Sequence, residues 1–285
     1  MNIHKVLVVG AGNMGHQIAI QTALNGFQVA CTDVSEETLD KARAFFADWL
    51  KGRVAKQKLT QEQADGVRGR LTFTPDLKGS AADVDLVLEA VPDIVEVKKK
   101  VLREVDGYTP DRTIFGSNSS YIVSSRFADA VKDPSKVLNV HFFNPAIVMK
   151  TVEIVKGPHV SDETFATVIE FVKAIGKTAI PVHKEIYGFL VNRFVTLLVR
   201  EAGYLADAEI ATPENIDLAI KGALGHPMGP FELIDLAGLD LEYQVRMERF
   251  KETGDLADRP SVALISHVVK GEYGRKTGKG FYAYD

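Results

Sequence analysis

Residues 5–15 read Lys5-Val6-Leu7-Val8-Val9-Gly10-Ala11-Gly12-Asn13-Met14-Gly15, and this stretch decides the fold. The short apolar run Lys5–Val9 reads as a strand buried on both faces. Residues 13–25 then carry apolar positions at helical spacing, with Met14, Ile18 and Leu24 on or near one face and Gly26 as the stop. Between strand and helix lie Gly10, Gly12 and Gly15, spaced Gly-x-Gly-x-x-Gly. The first permits a tight turn, the second lets the backbone approach a pyrophosphate, and the third lets helix pack closely on strand. The free N–H groups and dipole at the helix start suit anionic phosphates, so Gly10, Gly12, Asn13, Met14 and Gly15 form a seat for a dinucleotide. A second strand, Gln28–Thr32, ends at Asp33, 18 residues past Gly15. A carboxylate there accepts hydrogen bonds from both hydroxyls of an adenosine ribose and repels a 2′-phosphate, so NAD is the expected cofactor rather than NADP.

Working outward, a long polar helical region is expected from Glu36 to about Gly69, strands at 84–91, 113–117, 137–143 and 152–155, and a helix at 95–105. The βαβα alternation over the first ~180 residues implies an α/β fold with a parallel, doubly wound sheet. After Lys184 the pattern turns helical, at 189–206, 213–222, 230–252 and 262–270. The expected division is therefore residues 1–184 and an all-helical domain at 188–285.

Composition limits the function classes. The chain has 285 residues, 46% hydrophobic and 25% charged, with a formal net charge of −4. That balance gives no reason to expect nucleic acid as a partner. No apolar run approaches the ~18 residues of a membrane span. The N-terminus runs straight into a strand, which leaves no room for a signal peptide. One cysteine, Cys31, excludes an intrachain disulfide and fits a reducing, cytoplasmic compartment. No metal is expected.

Residues 141–145 read His-Phe-Phe-Asn-Pro, and Glu153 lies twelve residues past His141. His141 ends a strand, on the sheet edge where ligands gather in open α/β folds. A histidine that titrates near neutral pH, with a carboxylate to orient it, can take the proton of an alcohol as hydride leaves for a nicotinamide.

Several further blocks carry a family resemblance. They are Glu-Ala-Val-Pro at 89–92, Ser-Asn-Ser-Ser at 117–120, Val-Met-Lys at 148–150 and Gly-Phe-Leu-Val-Asn-Arg at 188–193, then His-Pro-Met-Gly-Pro-Phe-Glu-Leu at 226–233 and Gly-Arg-Lys-Thr-Gly-Lys-Gly-Phe-Tyr at 274–282. With the glycine and histidine blocks, the chain resembles the L-3-hydroxyacyl-CoA dehydrogenase family over nearly its whole length, and the small bacterial 3-hydroxybutyryl-CoA enzymes in particular. The resemblance implies a Rossmann-type domain followed by a helical dimerisation domain, an acyl-CoA substrate and a homodimer.

It also implies roles. His141 is the base and Glu153 its orienting carboxylate. Ser120 hydrogen-bonds the reacting oxygen, and Asn192 binds the thioester carbonyl. Asn118 neighbours the nicotinamide, Asp93 and Lys98 lie toward its ribose, and Lys56, in the basic cluster Lys51, Arg53, Lys56 and Lys58, contacts CoA. For Lys98, among Lys98-Lys99-Lys100, a solvated helix face is the alternative. The chain departs from the family at Asp93, where Glu is usual, at Tyr121, where a smaller residue is common, and at Tyr187, where Pro is common. The segment from His141 to Asn192 is also one residue longer. Two rival readings stay open: a relative acting on a free hydroxy acid, of L-gulonate or carnitine type, and a non-catalytic NAD-binding protein.

Overall fold

The computed structural model describes residues 3–284, so residues 1, 2 and 285 of the expected domain ranges lie outside the described residues. In strand β1 (Lys5–Val9), Val6 and Val8 join one cluster of buried side chains, and Leu7 and Val9 join another. Alternate residues point to opposite faces, so a strand apolar at every inner position belongs mid-sheet with both faces covered. The other strands are β2 (Gln28–Thr32), β3 (Leu71–Thr74), β4 (Leu86–Glu89), β5 (Ile114–Ser117), β6 (Val137–Phe142), β7 (Thr151–Val155) and β8 (Thr178–Val182). They form one sheet in the order β3-β2-β1-β4-β5-β6-β7-β8. The chain winds from β1 out to β3, then restarts at β4 on the other side of β1. That reversal opens a crevice beyond the carboxyl ends of β1 and β4, where doubly wound sheets bind ligands.

The helices of this first unit are α1 (Asn13–Leu24), α2 (Glu36–Ala55), α3 (Gln61–Arg70), α4 (Leu77–Ala81), α5 (Val95–Asp106) and α6 (Asp162–Ala174). Nine of the twelve residues of α1 are buried, as in a helix enclosed on several sides.

Two expectations need correction, and a third gains detail. The sheet is not parallel throughout: β7 runs antiparallel to β6, and β8 follows β7. The helical region expected over 36–69 is divided into two helices. Gln57 adopts φ +53, and Thr60 opens α3 with a capping box, its hydroxyl accepting from Gln63 N at 3.1 Å while Gln63 Oε1 accepts from Thr60 N at 2.9 Å. The single helix expected over 230–252 breaks at Gly238, whose φ of +109 no helix residue adopts. Strands β3 and β8 and helices α4 and α6 were not expected from the sequence.

Contacts divide the chain between Leu190 and Val191. The second unit is helical, with α7 (Val191–Asp207), α8 (Pro213–Leu224), α9 (Pro230–Ala237), α10 (Leu239–Thr253) and α11 (Val262–Val269). Its core gathers Val199, Phe231, Ile234, Leu239 and Leu264. Two buried aspartates are satisfied by hydrogen bonds. Asp217 accepts from Phe231 N and Glu232 N at the start of α9, and Asp235 accepts from Phe281 N and Tyr282 N, fixing the C-terminal segment. Among the described residues no helix is long and apolar enough to cross a membrane.

Candidate active site

The glycine loop has the three spatial requirements read from its sequence, each in its own form. Gly10 has φ +99, and a Cβ there would meet Ala90 O at 2.7 Å. A Cβ on Gly15 would fall 1.7 Å from Gly10 O. A Cβ on Gly12 would meet nothing within 4 Å. Only Gly12 keeps open space, which is the room a pyrophosphate needs at the start of α1. No side chain caps α1 there. His16 supports the loop from inside: its Nδ1–H donates to Gly12 O at 2.7 Å, and burial holds its pKa below the ordinary histidine value.

A cleft of about 800 Å³ runs from this loop along the sheet edge. Gly10, Gly12, Asn13, Met14 and Asp33 line it on one side, and Asp93, Asn118 and Ser120 on the other. Val34, Pro75, Leu77, Val97 and Val101 add an apolar wall, and the Val34 side chain is fully exposed. An exposed valine beside a carboxylate suits a purine and its ribose, so the cleft fits a dinucleotide. Asp33 also shapes the loop, since Oδ2 accepts from Ala11 N at 2.8 Å and Oδ1 from Ser35 N at 2.9 Å. Asp33→Ser is expected to lower the kcat/KM ratio of NADH to NADPH by about tenfold or more, a change of about 1.4 kcal/mol or more. Steady-state rates with each cofactor test this, and an unchanged ratio would put the discrimination elsewhere.

Beneath the far side of the cleft lies a buried charge cluster built on Glu89, which sequence reasoning quoted only within a motif. Glu89 is fully buried. Oε1 accepts from Val91 N at 2.7 Å and Oε2 from Ser117 Oγ at 2.6 Å, and Lys98 Nζ reaches both oxygens at 3.0 Å. Lys98 Nζ also lies 3.1 Å from Asp93 Oδ1, and Asp93 Oδ2 accepts from Ser120 N at 3.2 Å. Lys98 is 1% exposed, so it is not on a solvated helix face. Its helix turns it inward, whereas Lys99 pairs with Asp129 and Lys100 is exposed.

His141 and Glu153 stand directly opposite each other in the antiparallel β6–β7 ladder. Opposed residues share a face of the sheet, which brings the two side chains within bonding reach. His141 Nδ1 lies 2.8 Å from Glu153 Oε2. The ionised carboxylate only accepts, so the imidazole donates from Nδ1 and keeps Nε2 as its acceptor. Both residues are buried, and Glu153 Oε1 accepts from Leu190 N at 3.0 Å. The rings of Phe143 and Phe189 lie 4.6 and 5.5 Å from the imidazole. Phe189 is 1% exposed and has φ +48, a left-handed conformation uncommon for an aromatic residue. This pair can take a proton at Nε2 and hold the resulting imidazolium against a buried carboxylate.

Asn118 ties the pair to the cleft. Its backbone N donates to Glu89 O, and its Oδ1 accepts from Phe142 N at 2.9 Å, beside His141. Its Nδ2 is then the group it can offer a ligand. Asn13 Nδ2 donates to Asn144 Oδ1 at 3.1 Å, a second link between the glycine loop and the histidine block. Of the other expected residues, Lys56 is an exposed residue at the end of α2, away from the cleft lining, and Asn192 sits on the first turn of α7 in the second unit.

A doubly wound sheet with this glycine loop, acid and cleft defines an NAD-dependent oxidoreductase. The NAD-binding domain model of 3-hydroxyacyl-CoA dehydrogenase matches residues 5–186, and the C-terminal domain model of 3-hydroxyacyl-CoA dehydrogenase matches residues 188–284. A 3-hydroxybutyryl-CoA dehydrogenase of Bradyrhizobium diazoefficiens is 36% identical, over 99% of this chain and 96% of its own. The crystal structure of (S)-3-hydroxybutyryl-CoA dehydrogenase PaaH1 from Ralstonia eutropha superimposes with a TM-score of 0.92 at 34% identity, covering both chains completely. A diketoreductase that acts on dicarbonyl compounds matches with a TM-score of 0.89 at 31% identity, also over both whole chains. The chain belongs to the 3-hydroxyacyl-CoA dehydrogenase family.

Proposed function

We propose that the protein interconverts (S)-3-hydroxybutyryl-CoA and acetoacetyl-CoA, with a preference for short acyl chains. The observation that carries the reading is the buried His141–Glu153 pair at 2.8 Å, bonded through Phe142 to the cleft residue Asn118. Gly10, Gly12, Asn13, Met14 and Asp33 would hold the pyrophosphate and adenosine half of NAD, and Asn118 and Asp93 its other half. Bound there, NAD would supply the nicotinamide ring that accepts the hydride leaving C3 of the substrate. His141 takes the 3-hydroxyl proton at Nε2 as the C3–H bond breaks, and Glu153 stabilises the imidazolium. Ser120 holds the reacting oxygen, and Asn192 donates its amide to the thioester carbonyl. Lys56 remains the proposed contact for a CoA phosphate. A cytoplasmic setting belongs to the same reading, supported by the lone, buried thiol of Cys31. So does a homodimer through the helical unit, supported by the exposed apolar residues Phe194, Leu197, Leu218 and Leu241. A monomer mass in light scattering would remove that part.

The diketoreductase likeness favours one alternative, a carbonyl substrate without CoA. Following NADH at 340 nm with acetoacetyl-CoA, acetoacetate and a simple diketone separates them. Turnover of acetoacetyl-CoA with little on the other two is expected, and the reverse would overturn the CoA reading.

Tyr121 follows Ser120, and its ring lies 5.2 Å from that of Tyr187. Two paired aromatics beside the proposed oxygen-binding serine narrow the room for an acyl chain. Tyr121→Ser is expected to raise activity on C8 relative to C4 substrates by roughly tenfold, as one to two methylenes in a pocket do. An unmoved C4-to-C8 ratio would show that the ring points away from the acyl group.

A further inference from the structure

The buried cluster under the cleft does not balance its charge. Lys98 has three N–H donors, and three carboxylate oxygens lie within 3.1 Å of Nζ: both of Glu89 and Oδ1 of Asp93. Glu89 has both oxygens engaged by Lys98, Val91 N and Ser117 Oγ. Neither Lys98 nor Glu89 lines the cleft, whereas Asp93 does, with its side chain 39% exposed. One ammonium set against two carboxylates leaves a formal charge of −1. The Lys98–Glu89 pair is buried and neutral together, so the excess sits on Asp93, at the surface of the cleft.

Topology says which end of the cofactor this charge meets. Asp33 ends β2, on one side of β1, and Gly12 opens α1 between them. Asp93 follows β4 and Ser120 follows β5, both on the other side of β1. A dinucleotide with its adenosine ribose at Asp33 and its pyrophosphate at Gly12 therefore directs its nicotinamide half toward Asp93. The nicotinamide ring carries a formal positive charge when oxidised and none when reduced.

We infer that Asp93 biases this cleft toward the oxidised dinucleotide, and that Lys98 is a positioning residue that neutralises Glu89 and holds Asp93 in place. A fixed negative charge stabilises NAD+ relative to NADH, because only the oxidised ring offers a charge to attract. The same carboxylate takes the Ser120 N–H, so the bias and the position of the serine loop rest on one side chain. The bias also moves the equilibrium on the enzyme toward alcohol and NAD+, the direction of ketone reduction.

The test is binding, with no turnover. NADH affinity is read from its fluorescence on titration, and NAD+ affinity from displacement of NADH, for the wild type, Asp93→Asn and Asp93→Glu. Asp93→Asn leaves the Lys98–Glu89 pair intact, so the buried cation stays paired and the variant is expected to fold with an unchanged melting curve. The expected result is about a tenfold rise in the NAD+-to-NADH ratio of dissociation constants, which is about 1.4 kcal/mol. Asp93→Glu keeps the charge and is expected to retain the wild-type ratio. Equal weakening of both redox forms in Asp93→Asn would mean that the residue only hydrogen-bonds a part common to both, and would overturn the inference. An unchanged ratio with unchanged affinities would overturn it too.

Discussion

Replacing His141 by Gln is expected to lower kcat for acetoacetyl-CoA reduction by roughly 10²–10⁴-fold, the usual worth of a positioned acid or base. NADH affinity should survive, because Gly12 and Asp33 follow β1 and β2, whereas His141 stands on β6 and bonds Glu153. The glutamine keeps a hydrogen-bond donor for Glu153, so the buried carboxylate is not left bare, which would itself cost stability. A stopped-flow or steady-state kcat near that of the wild type, with normal NADH binding, would remove His141 from the chemistry.

Gly12→Ala and Gly15→Ala are expected to fail in different ways. Gly12 has φ −60 and ψ −171, which alanine tolerates, and its Cβ would meet no atom of the protein. The variant should fold with a wild-type melting temperature. Its methyl would take the space left for the pyrophosphate, so NADH affinity should fall by roughly 10²-fold, about 2.7 kcal/mol. A Cβ on Gly15 would sit 1.7 Å from Gly10 O and 2.9 Å from Gly10 C. Backbone cannot yield as a side-chain tip does, so loop and helix must separate, with a loss of roughly 3 kcal/mol or more of stability. Melting curves and NADH titrations on both variants check this. Undiminished NADH binding by folded Gly12→Ala would mean that the phosphates lie elsewhere.

The parts of this molecule that could be read from the chain are those where one residue type has one physical reason to be there. The apolar run of β1 and the glycines after it leave little choice of structure, and Asp33 follows from where β2 ends. The break at Gly238 has a signal, a mid-pattern glycine, but helical periodicity continues across it, while the turn at Gln57 lies inside the expected helical region and is marked by the Thr-x-x-Gln box that follows it. Strand β8, Thr178–Val182, contains Pro181 and reads as a poor strand; it is tolerated at the sheet's edge, where a missing N–H need not cost a ladder bond.

The candidate site was legible unevenly. The spacing of His141 and Glu153 marks them as partners only once β7 is known to fold back against β6, since a parallel β7 would not set them opposite each other. Lys98 was marked only by the family resemblance, because a charge run looks solvated until a buried carboxylate is found to receive one member of it. Glu89 gave no signal of its own: a glutamate closing an apolar strand is equally at home as a solvated strand end. Its meaning comes from Ser117, Val91 and Lys98 converging on it, and that is a property of the folded sheet.

The central claim is that His141 and Glu153 act as one unit on the substrate proton. A double-mutant cycle tests it most directly, with NADH oxidation at 340 nm on acetoacetyl-CoA for the wild type, His141→Gln, Glu153→Gln and the double variant. If the carboxylate works only through the imidazole, the double variant should be scarcely slower than His141→Gln, far less impaired than the product of the two single losses. Fully multiplicative losses would contradict the account, because each residue would then be acting without the other.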